Sequence, residues 1–142
     1  GDIVLYDRYV PSSLTFITVE ALRPQEVELK RATIQQAVAD REYQKHKMPR
    51  ADASIFLDVP PGISAPLLER RKRVLKGDDE YTDHVDIQER LYNEYDVLCT
   101  TNPEHYLRIK CVVGDELLGI ADITELVWQA LIIKFPRLTK KR

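Results

Sequence analysis

Glycine is scarce, five in 142 residues, and Gly62, Gly77, Gly114 and Gly119 stand isolated. No Gly-x-x-x-x-Gly-Lys-Ser/Thr segment occurs, so the chain carries no loop of the kind that cradles a triphosphate on backbone N–H groups. Cysteine is nearly absent too: Cys99 and Cys111 lack C-x-x-C spacing, which excludes a zinc ribbon and a disulfide framework and predicts buried, reduced thiols. No apolar run approaches the ~18 residues of a membrane span, and the beginning of the chain lacks a signal-peptide layout, so a cytoplasmic location and no membrane partner are expected. Charge is balanced, 21 basic against 23 acidic residues, and the net charge of -2 gives no reason to expect a nucleic-acid partner. Lys140, Lys141 and Arg142 read as a solvated tail. Neither a repeat nor a low-complexity stretch nor an interdomain linker interrupts the chain, which reads as one domain over residues 1 to 142.

What the sequence does contain is organised around its first fourteen residues. Ile3, Val4, Leu5 and Tyr6 form an apolar run, as in a strand buried on both faces of a parallel sheet. Asp7 and Arg8 follow at the strand's carboxyl end, the edge at which open α/β sheets bind ligands. A surface ion pair closing a strand explains these two residues about as well. Pro11 with Ser12 or Ser13 supplies a turn and a helix N-cap. Leu14, Ile17 and Ala21 then recur at helical spacing up to Arg23-Pro24, and a second amphipathic helix is expected from there to Met48, stopped by Pro49. His46 reads as a solvated helix end.

Residues 53 to 59 are a second near-continuous apolar run, closed by Pro60-Pro61, with Asp58 just before its end. A helix is expected to resume near Ser64, with Leu67 and Leu68 inward and residues 69 to 73 leading outward. The stretch from Lys72 to His84 offers charge and one glycine but little to bury, and reads as a mobile loop. Thr82 or Asp83 is expected to cap the next helix, whose stripe is Ile87, Leu91, Tyr95 and Leu98 and whose end is Asn102-Pro103. Residues 106 to 113 read as a third strand, turned by Gly114-Asp115. Asp122-x-x-Glu125 is a capping-box pattern opening a last helix that ends before Pro136, with Trp128 as packing. Strands alternating with helices predict an α/β fold with right-handed crossovers and a parallel sheet.

Asp7-Arg8-Tyr9, followed by Ser12 and Phe16, resembles the Asp-Arg-Tyr/His signature of thymidylate kinases, and residues 51 to 61 are similar to that family's next strand. Glu69-Arg70-Arg71-Lys72-Arg73 with residues 77 to 81 looks like its lid, placed at about residues 70 to 84. The resemblance runs in order through nearly the whole chain. It implies a nucleoside monophosphate kinase-like (P-loop kinase) fold, transfer of the ATP γ-phosphoryl group to dTMP with magnesium, and a homodimer formed through helices within residues 14 to 46. The family's phosphate loop and its central strand have no counterpart in these residues. A partial kinase domain, a fragment inactive by itself and with exposed sheet edges, is therefore expected.

By the same resemblance, Arg8 would hold the acceptor phosphate, and Arg70, Arg71 and Arg73 would close over the transferring group, with Lys76 toward ATP. Arginine suits this chemistry because its planar fork binds phosphate oxygens in pairs and keeps its charge. For Arg70 to Arg73 a solvated helix end is the equally weighted reading. Tyr9, Ser12, Phe16 and Tyr81 would contact the substrate, Phe16 by stacking on the base. Asp7 would act as a base, or as an orienter of Arg8 and of magnesium-bound water. The second role is favoured, because a monophosphate oxygen is already largely deprotonated. No residue of this chain is assigned as a direct metal ligand. Ile17 stands where the family more often has a polar residue that reads the base, which predicts weaker thymine selectivity. A deoxynucleoside kinase of the same fold, which normally carries Ser at the position of Tyr9, is the neighbouring reading. A non-catalytic nucleotide-binding or interaction module is the third.

Overall fold

The computed structural model describes residues 3–22, 28–75 and 85–141. The chain is mixed α/β and mostly helical. Its helices are α1 (Val10–Ala21), α2 (Glu28–Ala39), α3 (Pro61–Leu75), α4 (Val85–Thr101) and α5 (Ile120–Lys134). A π-helical segment, Asp40–Lys45, continues α2, and a 3-10 helix, Pro136–Lys141, follows α5. Strand β1 (Ser54–Asp58) pairs in parallel with β2 (Tyr106–Lys110), from Ser54 opposite Tyr106 to Asp58 opposite Lys110. β3 (Val112–Val113) and β4 (Glu116–Leu117) form a small antiparallel hairpin. Gly114 turns that hairpin at φ 60°, a conformation for which glycine has no Cβ penalty.

Packing centres on α1 and α2. Val10, Leu14 and Val38 are buried together, with Tyr9, Ile17, Ile34 and Tyr43 against them. α4 packs on α1 and on β2, with Leu91, Leu98 and Cys99 buried. Polar clamps tie α4 to both neighbours. Arg90 donates to the carbonyls of Val19 and Leu22, carbonyls at the carboxyl end of α1, whose last turn has no basic residue of its own. Arg31 on α2 grips the buried carboxylate of Glu94 at 3.0 and 3.1 Å. Two fully buried hydroxyls, Thr15 and Thr18, lie on α1; Thr15 bonds back to the Pro11 and Ser12 carbonyls.

Several expectations need correction. Residues 3 to 6 are neither strand nor buried: Leu5 is 84% exposed and Ile3 70%. A strand exists only where a neighbour supplies ladder bonds, and none of the described strands lies beside this segment. β1 is not covered on both faces either, since Ile55 and Leu57 are exposed while Phe56 is half-buried and Asp58 buried. The expected third strand breaks at Cys111, where the Cys111 N–H donates to the Asp58 carbonyl and the chain enters the hairpin.

Helix starts moved as well. α1 begins at Val10 with Tyr9 as N-cap, so Ser12 and Ser13 lie inside its first turn. α3 begins at Pro61, and the Ser64 hydroxyl bonds back to the Pro61 carbonyl instead of capping. Leu67, expected inward on α3, is exposed. α5 begins at Ile120 after Gly119, and Asp122 makes no capping bond. Thr82 and Asp83, expected to cap α4, lie outside the described residues. Among the described residues no helix is long and apolar enough to cross a membrane.

Candidate functional site

Arg8 adopts φ 59°, the left-handed region that L side chains avoid at a cost of about 1–2 kcal/mol. Such strain persists where surrounding structure enforces it, and it gathers at ligand-binding sites. The kink is enforced from its carboxyl side. Tyr9 is extended as N-cap of α1, its carbonyl accepts the Ser12 N–H at 2.9 Å, and its phenol donates to the Pro49 carbonyl at 2.7 Å. Tyr6 stacks on Tyr9 with ring centroids 4.8 Å apart. The result aims the exposed guanidinium of Arg8 back over α1, where it sits 5.9 Å from the centre of the Phe16 ring.

Ser12 is tied in from the other side. Its hydroxyl lies 3.0 Å from the Tyr95 hydroxyl on α4, and the Tyr95 ring stacks on Phe56 of β1 at 5.1 Å and 10°. One turn of α4 earlier, Tyr92 donates to Asp58 at 2.7 Å, at the carboxyl end of β1. That bond and burial push the Tyr92 phenol up from its usual value. Arg108 of β2 lies 4.0 Å from the Asp58 carboxylate and donates to Asp96. Cys99 and Cys111 are free and buried, and desolvation pushes both thiols up.

The structure thus brings Arg8, Tyr9, Ser12 and Phe16 together at the amino end of α1. Asp7 is exposed at the bend preceding them. Arg70 is exposed on α3, which packs mainly against α4. Arg71 and Arg73 fall on α3, with side chains outside the described set, and Lys76 and Tyr81 lie outside the described residues altogether. Among the described residues no three His, Cys, Asp or Glu side chains come together to hold a metal.

The pairing of Tyr92 and Tyr95 with Asp58 and Ser12 was not read from the sequence. A signal existed: two tyrosines three apart on a helix share a face, and a buried phenol seeks a partner. No protein-family model, curated protein or solved structure matches this chain.

Proposed function

We propose that the chain is the acceptor-binding part of a nucleotide kinase acting on dTMP, with ATP as donor and magnesium as its cofactor, in a P-loop kinase-type fold. The observation that supports this is the left-handed Arg8, with its guanidinium held over the Phe16 ring at the start of a helix. An anionic phosphate is favoured at that place twice, by the guanidinium and by the helix N-terminus. Phe16 offers a flat face on which a base stacks once the guanidinium turns from the ring to the phosphate. Phosphoryl transfer demands positioning and charge neutralisation more than covalent help, so a rigid Arg8 and a tethered Ser12 are the parts this region supplies. Asp7 orients Arg8 and solvent, and an arginine of α3 or beyond it completes the neutralisation. The second reading is binding of the nucleotide without turnover, for which the same contacts of Arg8 and Phe16 suffice.

Calorimetric titration with dTMP, with thymidine as the phosphate-free comparison, tests the acceptor site. dTMP should bind more tightly than thymidine, and Arg8→Ala should erase that difference, a loss of about tenfold or more for a charge-assisted contact. Equal binding of dTMP and thymidine would reject the role of Arg8 and favour the deoxynucleoside kinase reading. A coupled ADP-release assay with dTMP, ATP and magnesium then separates a kinase from a binding module.

A further inference from the structure

A cavity of about 400 Å³ opens where α2 and the π-helical segment pass the amino ends of β1 and β2, next to the contact of Tyr9 with the Pro49 carbonyl. It shares no residue with the cluster around Arg8. Its size suits a small molecule. Gln35 on α2 contributes a buried amide nitrogen that has no hydrogen-bond partner, an arrangement that costs about 1–3 kcal/mol unless an acceptor meets it. Tyr43 and Tyr106 provide aromatic surface, and the Tyr106 phenol is pushed up to about 12 by burial, so it stays neutral. Arg50 is exposed and lies 4.1 Å from the centre of the Tyr43 ring, which places a cation at the rim.

Arg50 is the charged side chain among the residues that line the cavity, apart from His105. None of its lining residues is a carboxylate. Of the acids on the neighbouring segment, Glu42 is paired with Arg41 and His46, while Asp40 accepts from the Gln36 amide at 2.8 Å and keeps its charge. His105 also lines the space, close to the Ser54 hydroxyl at 3.3 Å. Burial, then the Lys134 and Arg50 cations, hold its pKa below the usual range. A rim cation, aromatic walls and an unmet inner donor in a chain of net negative charge describe a site selective for an anion with a flat body.

We propose that this cavity is a ligand site, separate from the Arg8 site, for a small planar anion. Its carboxylate or phosphate would meet Arg50 at the rim, and a carbonyl-type acceptor would reach Gln35 inside. The probes are 4-acetamidobenzoate, which has all three features, benzoate, which lacks the acceptor, and acetanilide, which lacks the charge. Each is titrated into the whole chain by calorimetry, with far-UV circular dichroism recorded for every variant. 4-Acetamidobenzoate should bind saturably and about tenfold more tightly than either comparison compound, the value of one good contact to a buried donor or a charge. Gln35→Leu should remove its advantage over benzoate. Arg50→Ala, at an exposed position that leaves the fold intact, should remove its advantage over acetanilide. Arg8→Ala should change neither, which keeps this test independent of the nucleotide site. Absence of saturable binding, or an unchanged order of affinities in the two cavity variants, overturns the proposal and leaves ordinary water as the partner of Gln35.

Discussion

Among the described residues two other than glycine, Arg8 and Lys47, have positive φ, at 59° and 56°. Their physical situations differ. Lys47 follows the π-helical segment, where the Met48 N–H reaches back to the Glu42 carbonyl at 3.0 Å, a helix-end turn in which glycine is the usual residue. Its side chain is exposed, so Lys47→Gly should raise stability by about 0.5–1 kcal/mol, the strain relieved less the added freedom of the unfolded chain. Arg8→Gly should behave similarly in a denaturant titration yet lose the preference for dTMP over thymidine. A destabilised Lys47→Gly variant would show that positive φ carries no strain here. Arg8 as a candidate site residue was read from the sequence, from an acid and an arginine at the end of an apolar run. Its left-handed backbone was not, because non-glycine residues reach that region through tertiary context.

α4 is the element on which the described structure converges. It caps α1 through Arg90, clamps α2 through Glu94, holds Asp58 of β1 through Tyr92 and reaches Ser12 through Tyr95. Its apolar stripe was readable by periodicity. The polar clamps were not, since Arg90 and Glu94 occupy the positions that a helical wheel assigns to solvent. Glu94 is only 6% exposed, so removing its partner strands a buried carboxylate. Arg31→Ala should therefore cost about 3 kcal/mol. The double replacement Arg31→Met with Glu94→Leu should recover most of that loss, since an apolar pair of similar volume needs no desolvation of charge. Chemical denaturation of the two variants beside the unsubstituted chain measures both quantities. Equal losses in the single and double variants would mean that the ion pair is better than its replacement and that α4 depends on it.

At the scale of the whole molecule, strong apolar periodicity located β1, β2 and the bodies of the helices, while long-range partners decided everything else. The run Ile3-Val-Leu-Tyr6 has the composition of a buried strand and, without a neighbour, remains solvated. Ile55 and Leu57 on β1, and Ile120, Leu126 and Ile133 on α5, add further exposed apolar side chains. Apolar surface of this kind drives association, because each buried CH₂ is worth about 0.8 kcal/mol. The chain as given should therefore associate with rising concentration, in a distribution of sizes and not as a single dimer. Light scattering against concentration should show this, and the pair of substitutions Leu5→Lys and Ile133→Lys, at sites 84% and 78% exposed, should suppress it without lowering the unfolding midpoint. A discrete dimer that survives both substitutions would point instead to a contact through α1 and α2, the homodimer expected from the kinase resemblance. Scattering identical to that of the unsubstituted chain, with no defined dimer, would mean that these side chains do not drive association, and the bare edge of β1 would become the surface to substitute next.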